Sequence, residues 1–526
     1  MPEPAAPTRT PAAAAYDEFA YPGFAFPQTR PDRLYSVARL YGLRPAPPAA
    51  SRCIELGCGD GTNLLAMAVT RPGGEFVGID ASARAIATAN ALVRATGLAN
   101  VEFKHLDLDA LQLEPGSFDY VVAHGLYSWV PPRTRDALLT RCRDLLASDG
   151  VAYVSYNAYP GAFLHDMLRE VLDVHIDGSR DATERLAQAR WLAEVIVAAG
   201  VPTPHGRALA EQMAALLERS DALVYHDDLA AVNTPVFFRE FLAHAGAHGL
   251  QFLAEADFLE SQALGLSPVA EQALERLPPD VLVREQYLDL VRNRAFRQTL
   301  LCHRGLAIDH DVDPGRLEEL ALASRLRPIQ ERPNLEEGMT ERFETPAQQS
   351  VETADPLAKA ALIELAEVAP GAVPFAELEA RVRARLSGGS SSRERADELA
   401  PILLELCFAD MVELWSEPPP LAAEPDDRPR ASELARAQAA CGLGTVATLA
   451  HTNVTLEDDL GRALVDLLDG ERDRQALLRE LGTVAPRVLP AGELPEALDA
   501  SLRRLAELGL LRAADAEPGR TPASPR

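Results

Sequence analysis

The sequence predicts an α/β fold: a mostly parallel sheet covered by helices, then a helical middle domain and C-terminal winged-helix-like domains. Three observations carry this. Between Arg52 and about Tyr159, short β-rich runs alternate with amphipathic helical stretches, the pattern of a sheet with helices on both faces. From about Ala162 to Arg304, Leu and Ala recur at helical spacing with few β runs. Beyond residue 355, two regions each run helix, helix, helix and then a short strand or wing.

Taken in order, residues 1–15 have the Pro/Ala/Thr composition of a disordered tail. YDEFAYPGFAFPQTRPDRLYSVARLYG follows with seven aromatic residues, becoming helical over roughly residues 31–41; a segment so dense in rings covers something. With this arm, the first domain spans 16–165, its strands CIELG, EFVGID, VEFKHLD, DYVVAHG and VAYVSYN separated by helices. A helical regulatory or substrate domain is expected over 166–330. A polar, Pro-bearing passage leads to winged-helix-like modules at 355–417 and 430–514, joined by the linker PPPLAAEPDDRP; residues 515–526 form a loose tail.

At 526 residues the chain is too long for one core, so several domains are expected. A net charge of -27 repels nucleic acid and anionic membranes and attracts basic partners. The six cysteines show no CxxC or clustered Cys/His spacing, which fits a reducing compartment without structural zinc. No basic and apolar leader opens the chain and no run approaches the ~20 apolar residues of a membrane helix, so a cytoplasmic location without integral membrane association is expected. His244 and His248 share one helix face, but without an HExxH glutamate or another evident ligand no metal site is expected.

The strongest chemical signal is CIELGCGDGTNLL. A strand carries Glu55 into a turn of Gly57, Cys58, Gly59, Asp60 and Gly61, with a helix from about Thr62; glycine lets backbone turn tightly and approach a ligand without a Cβ in the way. The spacing is neither GxGxxG nor the lysine-bearing phosphate loop. Asp80 ends the next strand, where a carboxylate binds ribose hydroxyls, and Asp107 ends the third, suited to an adenine amino group. Glu55 repels a pyrophosphate but accommodates an ammonium group. The set disfavours a dinucleotide and favours S-adenosylmethionine.

These features resemble the class I S-adenosylmethionine-dependent methyltransferases, which implies a Rossmann-like methyltransferase sheet. In that family the turn matching Glu55 to Gly61 lies beside the cofactor's amino acid part, the acid matching Asp80 holds the ribose, and the acid matching Asp107 lies near the adenine, covered by Leu108. AYDEFAYPGFAFPQTRPDRL, VVAHGLYSWVPP, SYNAYPG, HDDLAAVNTPVFFREFLAHAGAHGLQFLAEADF and REQYLDLVRNRAFRQTLLC look like the bacterial methyltransferases with a methyltransferase regulatory domain. That group includes protein-lysine methyltransferases acting on rickettsial outer-membrane proteins. The resemblance implies methyl transfer to lysines exposed on a protein substrate.

Methyl transfer is an in-line displacement, and alignment of donor with a neutral amine accounts for much of its catalysis. VVAH is expected as the fourth parallel strand, with His124 and Gly125 at its ligand-side end. Candidate catalytic residues are His124, which is also a candidate cofactor contact, with Tyr127 and Trp129 on the loop and Tyr156 and Asn157 at the end of the fifth strand. Packing and strand-end turn chemistry explain these residues equally well. Tyr16 and Tyr21 are expected to fold over the cofactor or to anchor the arm. His226, Asn233, Tyr287 and Arg294 stand in the helical part without an assigned role. Two other functions stay open: methylation of a small metabolite or peptide natural product, and a noncatalytic S-adenosylmethionine-binding regulator.

Overall fold

The computed structural model describes residues 16–176, 178, 181–386, 398–483 and 492–514. The expected tails, 1–15 and 515–526, lie outside the described residues. The central sheet has seven strands: β1 (Arg52–Leu56), β2 (Glu75–Asp80), β3 (Val101–His105), β4 (Phe118–Ala123), β5 (Leu146–Asn157), β6 (Leu250–Glu255) and β7 (Phe296–His303), in the order β3-β2-β1-β4-β5-β7-β6. The first five are parallel, while β7 runs antiparallel to both β5 and β6. Strand order reverses between β1 and β4, so a crevice opens at their carboxyl ends, the place where open α/β sheets bind ligands.

Burial on both faces dictates the strand sequences. Cys53, Phe76, Tyr120, Val122 and Tyr153 face one apolar layer, while Ile54, Val121, Ala123, Val154 and Tyr156 face the other. The helix Thr62–Thr70 is buried almost all round, as its apolar sequence requires. Ala83–Thr96 starts at Ser82, whose side chain accepts from the Ala85 amide, and stops at Gly97 in the left-handed region.

The middle of the chain differs from the helical expectation, because β6 and β7 extend the central sheet. Their polar residues disguised them: Arg297, Gln298 and Thr299 sit within β7, and Arg297 and Thr299 are buried among ion pairs and hydrogen bonds. The polar passage after Leu326 also folds, as an antiparallel ribbon of Arg327–Pro328, Glu341–Glu344 and Ser350–Thr353. The helices Pro356–Val368, Phe375–Arg385 and Leu399–Phe408 pack with short strands at Ala321–Ala323, Val373–Pro374 and Glu413–Trp415. Further along, Asp459–Leu467, Arg474–Leu481 and Leu494–Glu507 are the three expected C-terminal helices. No helix among the described residues is long and apolar enough to cross a membrane.

Candidate active site

The glycine turn after β1 is built on positive φ at Gly57, Gly59 and Gly61. At Gly61 a Cβ would lie 2.5 Å from the Phe103 ring, so only glycine fits. At Gly59 a Cβ would meet nothing within 4 Å, which leaves the backbone open to a ligand. The Gly59 amide donates to Asp80 Oδ2 at 2.9 Å and the Ser82 amide to Asp80 Oδ1 at 2.7 Å, fixing that carboxylate at the turn. Asp107 is half-buried and caps its own turn, accepting from the Asp109 amide. Cys58 is buried against the turn, and burial pushes its thiol well up, out of nucleophile range.

Glu55 is 3% exposed, and its Oε1 accepts from Asn63 Nδ2 at 2.7 Å. Its Oε2 is buried with no partner in the structure. Burial pushes the carboxyl up to about 8, with Asp60 and Asp80 adding repulsion. An orphaned buried carboxylate oxygen beside an open glycine turn fits a ligand bearing an ammonium group.

The aromatic arm runs along this crevice. Ser82 Oγ donates to Asp17 Oδ1 at 2.7 Å, so the arm is tied to the loop that follows Asp80. The Tyr16 ring stacks on His226 at 4.4 Å, with Tyr21 at 6.3 Å from Tyr16; Tyr21 is more exposed than Tyr16. His226 lies in a π-helical turn, Val224–Asp228, and its Nε2 meets the Phe19 carbonyl at 2.8 Å. Phe26, further along, packs at a tilt against His124 with centroids 3.8 Å apart.

His124 stands at the end of β4, as expected. Its Nδ1 lies 3.0 Å from the Tyr153 hydroxyl, which donates its proton to Gln298 Oε1 at 2.8 Å. Nδ1 therefore carries the hydrogen, and Nε2 presents a lone pair. Burial pushes His124 down to about 4, so the ring is neutral. Gln298 and Phe296 line a cavity of about 530 Å³ edged by Glu255, Asp257 and Glu260, with Leu264 and Leu266 in its wall. The Phe296 ring lies 6.1 Å from His124, linking that cavity to the crevice.

Three expected residues fall elsewhere. Tyr127 is 2% exposed and Tyr156 is 1% exposed; both pack on Phe241, at 5.1 and 4.0 Å, inside the apolar layer rather than at a rim. Strand parity explains Tyr156: Tyr153 and Ser155 point to His124 and Tyr156 to the opposite face. Leu108 is likewise buried in that layer instead of standing over the crevice. Trp129 is half-buried on a short 3-10 turn, and Asn157 Nδ2 donates to Asn233 Oδ1 at 2.9 Å. Tyr287 is exposed, whereas Arg294 lines the cavity and pairs with Glu260.

Sequence reading missed Asn63, Phe26, Tyr153, Gln298 and His451. Asn63 Oδ1 accepts from the Phe26 amide at 2.9 Å and meets His451 Nε2 at 2.9 Å, so the arm, the cofactor turn and a residue 388 positions away share one amide. Only Phe26 carried a signal, as part of the ring-dense arm.

Fold and site together define a class I S-adenosylmethionine-dependent methyltransferase. Residues 53–150 match a methyltransferase domain, 220–303 a predicted methyltransferase regulatory domain, and 427–488 the PKMT C-terminal winged helix domain. The chain is 35% identical over 300 residues to the uncharacterized protein RP789 of Rickettsia prowazekii, covering 57% of this chain and 54% of that one. It is 33% identical over 233 residues to RP028 of the same organism, covering 44% of this chain and 93% of that one. The match thus spans about half the length of RP789 and nearly all of RP028. The structure of PKMT2 from Rickettsia typhi superposes with a TM-score of 0.83 at 26% identity, covering 93% of this chain and 99% of that one. The same protein in complex with AdoHcy gives a TM-score of 0.82 at 25% identity over the same shares. The chain belongs to the methyltransferases that carry this regulatory domain and winged helix, and S-adenosylmethionine is its cofactor.

Proposed function

We propose that this enzyme methylates the side-chain amine of lysine on a protein. The observation that carries the reading is the cavity, lined by Asp257 as well as by paired acids and arginines, whose Gln298 and Phe296 wall reaches His124. Asp257 attracts a lysine ammonium, Glu255 and Glu260 being paired with Arg297 and Arg294, while Phe296, Leu264 and Leu266 suit its alkyl stem. The likeness to PKMT2 and the acidic surface favour a lysine-bearing protein.

S-adenosylmethionine supplies an electrophilic methyl group on a sulfonium. Glu55 holds its ammonium, Asp80 its ribose and Asp107 its adenine; Gly57 and Gly59 admit it closely, and Tyr16 and Tyr21 close the arm over it. Desolvation disfavours the ammonium, so the lysine gives up its proton to bulk water as it enters the site. His124, held near 4, is too weak a base to keep that proton at neutral pH, and its Nε2 lone pair orients the amine instead.

Incubating the purified chain with cell lysate and radiolabelled S-adenosylmethionine is expected to place label on protein, at lysine by mass spectrometry. A cavity of about 530 Å³ also suits a small acceptor. Label confined to the small-molecule fraction would establish that second reading and sink the first.

The Glu55 assignment has its own test. Because its folded pKa of about 8 exceeds the ordinary 4.5, its contribution to the stability of the free protein is complete below pH 4.5 and lost as pH rises through 8. Pairing with an ammonium reverses the shift, so cofactor binding at pH 7 releases close to one proton. Calorimetry in buffers of different ionisation enthalpy measures this number. Zero release, or release unchanged in Glu55→Gln, removes Glu55 from the ammonium site.

A further inference from the structure

We propose that Asp136, His244 and His248 form a zinc site bridging the methyltransferase and regulatory segments. Asp136 lies on the helix Pro132–Leu145, and His244 and His248 lie one turn apart at the end of the helix Phe238–Ala247. One donor atom from each lies within 4.8 Å of the other two. His244 Nε2 is 2.8 Å and His248 Nε2 3.7 Å from Asp136 Oδ1. These bracket the edge of about 3.3 Å that a zinc tetrahedron with bonds near 2.0 Å requires.

The outer nitrogens supply an independent argument. Thr140 Oγ1 donates its single proton to the Asp136 carbonyl at 2.7 Å, so at 3.0 Å it accepts from His248 Nδ1–H. His248 Nε2 then faces Asp136 Oδ1 at 3.7 Å, too far for a direct hydrogen bond. A cation between them would bridge that gap. His244 Nδ1 is 2.8 Å from the Tyr127 hydroxyl. Each imidazole is thus oriented through its outer nitrogen by a hydroxyl, the arrangement that fixes metal-bound histidines.

Two imidazoles and a carboxylate suit zinc better than calcium or magnesium, which prefer all-oxygen sets. Asp136 is 62% exposed and the imidazoles 25% and 21%, giving the ion an entry path and water a fourth position. The ligands come from both matched segments, 53–150 and 220–303. Through His244 the ion reaches Tyr127, on the loop that carries His124 and Gly125. Metal loading therefore fastens the regulatory segment to the mouth of the active site.

The test uses the tag-free full-length chain, stripped with chelator and titrated with Co²⁺ while visible absorption is followed. One saturable equivalent, displaced by Zn²⁺ and lost in Asp136→Asn and His248→Gln, is the expected result. Zn²⁺ should also raise the thermal midpoint of the parent but not of Asp136→Asn, whose altered side chain is exposed and leaves the fold intact. No saturable uptake, uptake undiminished in both variants, or a thiolate-to-cobalt band from Cys441, the exposed cysteine, overturns the proposal.

Discussion

Asp80→Ala weakens S-adenosylmethionine binding by about a hundredfold. Hydrogen bonds to charged groups contribute about 1.5–3 kcal/mol each, so losing the bonds proposed between the carboxylate and two ribose hydroxyls costs about 3 kcal/mol, two decades in Kd. The amides of Gly59 and Ser82 lose their acceptor too, so the glycine turn is no longer held to the end of β2. The fold itself suffers less, because burial already raises the Asp80 carboxyl and opposes its charge. Asp80→Asn separates the contributions: it keeps one acceptor for the turn but loses the charge, and about a tenfold loss is expected. Calorimetric titration with the cofactor measures both variants. Parent-like affinity in Asp80→Ala would remove Asp80 from the cofactor site.

The legible parts of this site were those written in consecutive residues. Glu55 to Gly61, Asp80 and His124 each lie at or just past the end of a β run, so strand ends and special backbone conformations locate them without knowledge of any distant partner. Tyr127 and Tyr156 show where that logic stops. An aromatic residue after a strand serves rim or core alike, and the choice depended on Phe241, which no local pattern places beside them. Strand parity, applied to VAYVSYN, separates Tyr156 from Tyr153 and Ser155, but only the fold tells which face carries the crevice.

The Glu55–Asn63–His451 chain was hidden for another reason. His451 sits at positive φ in the C-terminal module, 2% exposed, and its bond to Asn63 exists only once that module has docked. Asn453 pairs in both directions with the backbone of Ala25, so the same module also holds the arm that carries Phe26. The cofactor turn is therefore completed by parts of the chain that composition alone marks as separate domains.

Arg297→Met destabilises the protein by about 3–5 kcal/mol, the cost of leaving a buried ion network without its cation. Arg297 is almost wholly buried in β7, its guanidinium 2.7 Å from Glu255, 3.0 Å from Glu285 and 2.8 Å from Asp289, and stacked 3.8 Å over Phe238. Methionine fills much of the same volume, so the loss measures three stranded carboxylates rather than a cavity. The pH dependence follows from Asp289, which burial pushes up to about 6 against the pull of Arg297, from an ordinary 3.8. A raised folded pKa means that its contribution is whole below pH 3.8 and lost as pH rises through 6. Without Arg297 the carboxyl rises further, extending the loss to higher pH. Chemical denaturation should therefore find the gap between variant and parent smaller at about pH 5.5 than at 7.5. Adding Glu255→Gln and Asp289→Asn to Arg297→Met removes two of the stranded charges and should recover part of the loss. A single variant as stable as the parent at both values would mean that Glu255, Glu285 and Asp289 stay compensated without Arg297, leaving the neighbouring Arg294 as the cation that holds this edge of the cavity together.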